Sequence, residues 1–376
     1  MNFELSDERR MLRDALERFL RDTCTPTARA AAEQTETGFS PEIWAGLAEM
    51  GVIGAVFDES VGGFAGSGFD LAVVFEALGR AGAVEPLLEV VLAGSLIAER
   101  GDADQRALLE TVIAGEMHLA LAHYEPAGRY DLERVATTAT ATESGYRIDG
   151  RKAVVVNAGA ADTIVVSART SGDVADKQGI SLFLVPRNTP GLTLRDYPLA
   201  GGGRAAELKL EAVELPAAAR LGCEGDAFDA LERAVARASV AQCAEALGLM
   251  EAIRELTTDY LRTRKQFGQP IGKFQALQHR MADLLIEIEQ ARSAVINVAG
   301  HLDRERDLRE RHVSAAKQLI GTVAKLVAEE SIQMHGGIGM TQEYELAHFV
   351  RRLIMIDHRF GDHLHHLARF VRLKAA

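Results

Sequence analysis

Cysteine is scarce in this sequence: Cys24, Cys223 and Cys243 are the only three in 376 residues, and no two of them form a CxxC pair. An odd, scattered set excludes a disulfide framework or a zinc cluster and fits reduced thiols. Long hydrophobic runs are missing as well. Nothing approaches the ~20 apolar residues that span a bilayer, and Met1–Leu20 is amphipathic and charged throughout, without the apolar stretch of a secretory signal. Positive charge is in deficit, with 42 Lys and Arg against 54 Asp and Glu for a net charge of -12. That balance argues against nucleic acid or an anionic membrane as partner. No internal repeat or low-complexity tract interrupts the chain. What remains is an ordinary globular composition, 47% hydrophobic and 26% charged, long enough for two or three structural units. A cytoplasmic enzyme is the expectation.

The hydrophobic period changes twice. Leu12, Leu16, Phe19 and Leu20 recur at helical spacing, with Ser6 and Asp7 available as caps. Glycines at 62–63, 66 and 68 punctuate the following helices, and Leu87–Glu99 has Val90, Val91, Gly94 and Ile97 on one face. Near Leu119 the texture turns to short runs rich in Val, Thr and Ile. Ile164–Ala168, Ile180–Val185 and the alternating Glu207–Ala212 read as strands, and Tyr146–Ile148 leads into Asp149-Gly150, a hairpin-turn dipeptide. No helical crossovers separate these strands, so the sheet is expected to be mostly antiparallel rather than doubly wound. Past Leu221 the helical period returns. Ala246, Leu249, Met250, Ile253, Thr257 and Tyr260 mark one face, Leu277, Met281, Leu284, Leu285 and Ile288 a second, and Leu319, Ile320, Val323, Leu326 and Val327 a third. The expected fold is α+β, mostly α: an N-terminal helical domain over 1–118, a central antiparallel β domain over 119–222, and a C-terminal four-helix bundle over 223–376.

Two segments carry chemistry. Arg262-Thr-Arg264-Lys-Gln266-Phe267-Gly268-Gln-Pro270-Ile271-Gly-Lys-Phe274-Gln275 lies between two helical stretches, and Gln333-Met-His335-Gly336-Gly337-Ile-Gly339-Met-Thr341 ends another. An arginine spans a diphosphate with a planar fork of donors that lysine cannot copy. A Gly-Gly pair lets backbone amides approach an anion without obstruction by Cβ. Taken singly, these are also what a helix terminus needs: a cation beside its negative end and a glycine stop. Gly336-Gly337-Ile338-Gly339 follows a helix and not a strand, so it is no dinucleotide fingerprint.

Together, at this spacing and within the helix–sheet–helix order, the segments resemble the acyl-CoA dehydrogenase family over nearly the whole chain. The resemblance implies FAD as cofactor, acyl-CoA as substrate and α,β-dehydrogenation as the reaction. It also implies that Arg264, Gln266, Phe267, Ile271 and Phe274, with Gln333, Gly336 and Gly337, hold the ADP end of a flavin seated on a neighbouring subunit.

Three departures accompany the likeness. The family's base is a glutamate in a segment resembling Arg-Asp-Xaa-Xaa-Xaa-Xaa-Xaa-Xaa-Tyr-Glu-Gly-Thr; here Phe360 stands at that place before Gly361. Some relatives put the base on the first helix of the bundle, where this chain has Ala238. No catalytic carboxylate is therefore expected at either position. The Thr-Glu-Pro-Xaa-Xaa-Gly-Ser-Asp loop that grips the flavin ring corresponds to Tyr124-Glu125-Pro126-Ala127-Gly128-Arg129-Tyr130-Asp131, with one residue expected to be missing, and the Lys-Xaa-Trp-Ile-Thr strand has become Lys152-Ala153-Val154-Val155-Val156. This pattern is similar to the base-lacking β-type subunits of heterotetrameric α2β2 enzymes in bacterial steroid side-chain and dicarboxylic-acyl degradation. A homo-oligomer with a displaced base such as Asp357, and a non-enzymatic scaffold, are the competing expectations. His358, Asp362, His363, His365 and His366 are read as a helix face and not as metal ligands. His335 is read as a capping or packing residue, 303–311 as a solvated tip, and Gly201–Gly203 as a flexible connection.

Overall fold

The computed structural model describes residues 5–375. The first four residues, part of the amphipathic segment noted above, and Ala376 lie outside the described residues. Six helices come first: α1 Asp7–Thr23, α2 Pro26–Glu33, α3 Pro41–Glu49, α4 Gly68–Ala81, α5 Leu87–Arg100 and α6 Ala103–Ile113. Their starts are written in the sequence. Ser6 caps α1 by accepting from Arg9 N, and Ser67–Asp70 and Asp102–Gln105 form reciprocal capping boxes on α4 and α6.

Eight strands follow: β1 Leu119–Ala122, β2 Thr138–Ala141, β3 Gly145–Val156, β4 Thr163–Arg169, β5 Ile180–Pro186, β6 Leu192–Pro198, β7 Arg204–Pro216 and β8 Arg220–Leu221. They form one sheet in the order β6-β7-β3-β2-β4-β5-β8, with β1 also on β4. The pairings are antiparallel except for β1–β4 and a single parallel pair between β2 and β4. The strand expectations at 164–168, 180–185 and 207–212 fall inside β4, β5 and β7. The hairpin expected at Asp149-Gly150 does not form. Both residues lie within β3, at a register shift against β7. Asp149 Oδ1 accepts from Ala212 N at 2.7 Å across that irregularity, where Ala212 has φ +51°. A turn dipeptide has been used to make a β-bulge.

The helical period resumes in α7 Phe228–Thr263, followed by the two-residue strands β9 Lys265–Gln266 and β10 Gln269–Pro270, then α8 Gln275–His301, α9 Arg306–His335, α10 Leu346–Asp357 and α11 His363–Ala375. Among the described residues, the fourth element of the expected bundle is thus two short helices joined by a turn. Leu284, Ile288, Ile320, Val323 and Val327 are buried as their spacing predicts, whereas Leu285 and Leu326 are exposed.

By contacts the chain divides into two compact units. One holds residues up to Arg29, Ser67–Ala83 and Ser239 onward; the other holds Ala30–Gly66 and Val84–Ala238. In the first, α4 and α7 cross at paired glycines. A Cβ on Gly79 would collide with the Glu245 carbonyl, and one on Gly248 with that of Glu76, so only glycine permits this approach. The second unit is built on the sheet, whose core includes Ile148, Val155, Ile164, Val166, Phe183, Val185, Leu208 and Leu210.

Candidate cofactor site

The two motif segments meet through their helix ends. Tyr260, one turn before the end of α7, stacks on His335, the last residue of α9, at 4.5 Å between ring centroids and 25° between planes. Tyr344 closes the cluster edge-on at 6.3 Å from Tyr260. His335 Nδ1 lies 2.8 Å from the Ser331 carbonyl, and burial holds the ring below its usual pKa. That is the packing role expected for it.

Beyond this stack both segments open to solvent. Arg264 is exposed, and its guanidinium makes no hydrogen bond or ion pair with any of the described residues. Its backbone carbonyl accepts from Ile271 N at 2.8 Å, which sets β10 against β9. The two residues between these strands, Phe267 and Gly268, have φ +53° and +78°. That is the geometry of a two-residue hairpin turn in which both central residues take left-handed backbone. Phenylalanine is strained there, yet its ring is 90% exposed and touches Phe274 edge-on at 6.0 Å. Strain without burial points to a function outside the chain's own packing. Ile271 and Phe274 are half-buried beneath the hairpin, and Gln266 and Gln333 are exposed.

The glycines repeat the pattern. Gly336 has φ 68° and ψ -147°, a region open only to glycine. Gly337 has no such need, and a Cβ on either residue would meet nothing within 4 Å. Packing therefore does not explain the bare backbone at Gly337, whereas close approach of a ligand would. A free guanidinium, exposed amide side chains and an unobstructed diglycine fit the diphosphate end of a dinucleotide cofactor.

The turn carrying the expected base position has left-handed backbone and an apolar side chain at its centre. Phe360 has φ +61° and is buried, and Gly361 has φ +110°. A Cβ on Gly361 would come within 2.6–2.7 Å of the His365 and His366 rings. Lys317 of α9, 1% exposed, donates to the Ile356 carbonyl at 3.2 Å, the Arg359 carbonyl at 2.8 Å and Gln242 Oε1 at 3.2 Å. His366 Nε2 donates to the Phe360 carbonyl at 3.0 Å. Sequence reasoning missed Lys317; a lone lysine flanked by Ala316 and Leu319-Ile320 was the available signal. Ala238 is fully buried on α7.

In the sheet unit, the segments expected near a flavin ring have equally marked backbones. Arg129 has φ +48° and falls where the family's loop has its glycine, so the stretch from Tyr124 to Asp131 aligns residue for residue and the expected gap is absent. Val154 has φ +51° at a second β3–β7 register shift and is 53% exposed. Left-handed backbone is an outlier for a β-branched residue. Its N–H donates to Glu207 Oε1 at 3.3 Å, an oxygen that also accepts from the Tyr197 hydroxyl at 2.8 Å. Val156 is half-buried. Among the described residues no group of three or more His, Cys, Asp or Glu side chains could hold a metal, and no helix is long and apolar enough to cross a membrane.

Comparison with known proteins converges on one family. Models of the acyl-CoA dehydrogenase N-terminal, middle and C-terminal domains match residues 6–116, 120–213 and 225–357. The probable acyl-CoA dehydrogenase YngJ of Bacillus subtilis (strain 168) is 32% identical, over 93% of this chain and 93% of its own length. Among solved structures, the ChsE4–ChsE5 complex from Mycobacterium tuberculosis matches with a TM-score of 0.89 and 26% identity, over 100% of this chain and 99% of that one. The FAD complex of PigA matches with a TM-score of 0.92 and 26% identity over the same shares. This chain belongs to the acyl-CoA dehydrogenase family, a family of FAD-dependent oxidoreductases.

Proposed function

We propose that this chain is one subunit of an FAD-dependent acyl-CoA dehydrogenase, holding the ADP end of a flavin whose ring and catalytic base belong to a second, base-bearing subunit in an α2β2 assembly. The observation that carries this reading is Phe360: the turn has left-handed backbone and buried anchors, but the side chain cannot take a proton. In the α,β-dehydrogenation of an acyl thioester, a bound flavin supplies the acceptor for the hydride leaving the β-carbon. The α-proton must go to a carboxylate in a dry pocket, whose pKa is raised toward that of the activated carbon. Neither Phe360 nor Ala238 can do this.

This chain's own contribution is binding. Arg264 would pair with the diphosphate, and the amides of Gly336 and Gly337 would lie against the same end. Gln266 and Gln333 would add side-chain hydrogen bonds, and Phe267, Ile271 and Phe274 an apolar wall. Phe267 on one motif segment, and Ile338 and Met340 on the other, are 90%, 43% and 70% exposed, apolar surface of the kind that partner contacts cover. The pairing of two named chains in the ChsE4–ChsE5 complex supports a heteromeric arrangement. The domain limits that go with this reading are 1–118, 119–222 and 223–376, and its setting is the cytoplasm.

A homo-oligomer with Asp357 as displaced base is less well supported. The Asp357 carboxylate accepts from His363 N at 3.0 Å and lies 2.7 Å from His363 Nδ1, which occupies it at the start of α11. A scaffold that never touches flavin leaves the free Arg264 and the bare diglycine without purpose. The test is to purify the chain alone and together with a co-expressed base-bearing acyl-CoA dehydrogenase, then record flavin absorbance and acyl-CoA oxidation. Flavin and activity only in the mixed complex support the proposal. Stoichiometric FAD with dehydrogenase activity in the chain alone overturns it.

A further inference from the structure

Residues 126–135 are the middle of the connection between β1 and β2, and one carboxylate closes the neck of this loop. Glu125 Oε2 accepts from Ala136 N at 2.8 Å, and Oε1 accepts from Thr137 N at 2.9 Å and from Lys152 Nζ at 2.7 Å. Lys152 is fully buried and donates also to the His123 carbonyl at 3.2 Å and to Ser167 Oγ at 3.0 Å. All three of its ammonium protons are thereby used.

The exit of the loop is held by a second buried cation. Arg169, 6% exposed, donates through Nε to the Val135 carbonyl at 3.3 Å and through Nη2 to the carbonyls of Glu133 at 2.8 Å and Val174 at 3.0 Å. Its Nη1 reaches the carbonyls of Asp176 at 2.9 Å and Gln178 at 2.6 Å. Five donors thus meet five backbone carbonyls, two of them in the loop. Apolar side chains of similar volume would fill these positions without desolvating a charge. What the cations add is direction: Arg169 binds the loop's own Glu133 and Val135 carbonyls, and Lys152 acts through Glu125, which it holds against the Ala136 and Thr137 amides at the loop's neck.

We propose that Lys152 and Arg169 are positioning residues that hold the 126–135 loop in its ligand-accepting shape before any flavin arrives. The weakness of the ring side then lies in the side chains at Tyr124 and Tyr130, not in the loop's frame. Left-handed Arg129, at the place of the motif's glycine, agrees with a retained frame. The inference rests on the reading that this loop faces a flavin ring, and the experiment separates the two.

Backbone amide hydrogen exchange is measured on the full chain without flavin, for the wild type, Lys152→Met, Arg169→Met and Arg169→Lys. Flavin affinity is measured by titrating FAD into the chain alone, so that the flavin seated in the partner's ring pocket is not counted. Amides of 126–135 should exchange at least tenfold faster in the two methionine variants, with Arg169→Lys intermediate, while amides of β4 and β5 keep their protection. Unchanged loop exchange, or equal acceleration throughout the sheet, overturns the positioning role. Should Lys152→Met not fold, Ser167→Ala removes one of the three acceptors and should give a smaller acceleration confined to the same loop. A loosened loop with unaltered flavin affinity would keep the latch and remove the loop from the flavin site. Tyr124→Thr combined with Tyr130→Ser should raise flavin affinity at constant loop exchange; a rise accompanied by altered exchange overturns the claim that the frame is already built.

Discussion

Tyr260 and His335 stack at 4.5 Å, and this one contact places the end of α7, with Arg264, beside the end of α9, with Gly336 and Gly337. Aromatic pairs of this kind contribute about 0.5–1.5 kcal/mol beyond the area they bury. Tyr260→Ala is therefore expected to destabilise the chain by about 1–3 kcal/mol, whereas Tyr260→Phe keeps the stack and costs little. In the mixed complex, Tyr260→Ala should also lower flavin content while Tyr260→Phe does not. Equal flavin content in both variants would mean that the stack supports the fold alone.

Arg264→Ala separates binding from folding more cleanly. The side chain is exposed and unpaired among the described residues, so its removal should change stability by less than about 0.5 kcal/mol. Charge-assisted hydrogen bonds to phosphate contribute about 1.5–3 kcal/mol, so FAD affinity of the complex should drop by roughly ten- to a hundredfold. Arg264→Lys should recover only part of it, because an ammonium cannot make the forked contact. Equilibrium dialysis of FAD against the purified complexes checks this, and equal affinities for all three would remove Arg264 from the site.

Val154 offers a stability test with the opposite sign. Its φ of +51° is unfavourable for a β-branched side chain, and with 53% exposure it has little packing to lose. Val154→Gly should relieve strain of roughly 1 kcal/mol and leave the chain as stable as the wild type or more so, by urea denaturation. A clear loss of stability would show that the valine packs more than its exposure implies.

The acid side of the stability profile should report buried histidines. Burial and then the nearby Lys152 ammonium push His123 down to about 3, and burial above all pushes His366 down to about 2. Above pH ~6.5 both are neutral in either state and cost nothing. As pH falls below ~6.5 the unfolded chain gains protons that the folded chain refuses, so stability declines until the folded pKa is reached. One such group removes about 2 kcal/mol between pH 6.5 and 5. His123→Asn, which keeps a hydrogen-bonding group toward Ser167, should be less stable at pH 7 but lose about that much less on acidification. Parallel profiles for the two proteins would show that His123 titrates normally.

Much of this was legible in the sequence, and what was not has common physical causes. The change from a period near four to a period of two, and back, was readable at Leu119 and Leu221, which lie at the start of β1 and the end of β8. The candidate cofactor residues could be proposed from sequence because each motif is local: a helix end runs into a hairpin tip over 262–275, and another helix end runs into the diglycine over 333–341. Asp149-Gly150 misled because the same dipeptide serves a turn or a bulge, and pairing with β7, some 60 residues on, decides which. Lys152, Arg169 and Lys317 were opaque for a related reason. A lysine or arginine in sequence is a solvated charge until distant carbonyls and carboxylates surround it, and those partners come from other strands and helices.

Phe360→Glu tests the catalytic reading most directly. A glutamate there would enter a site now only 6% exposed, on left-handed backbone, with Arg359 set over the present ring at 4.7 Å. Desolvation would raise the carboxyl pKa and the Arg359 guanidinium would lower it, so the group would lack the unopposed rise that a base in this position needs. The fold should survive, because Lys317 and His366 hold the turn through the backbone carbonyls of Ile356, Arg359 and Phe360 rather than through the side chain. Loss of the buried ring should still cost about 2–4 kcal/mol. Activity of the isolated chain should remain absent, since Val154, Val156 and Tyr124 would leave the flavin ring poorly seated whatever the base. In the mixed complex, the partner's own base should run the reaction at an unchanged rate per active site. Acyl-CoA oxidation by the isolated Phe360→Glu chain, above that of the wild-type chain, would show that the ring-side pocket was complete and that only the base had been lost.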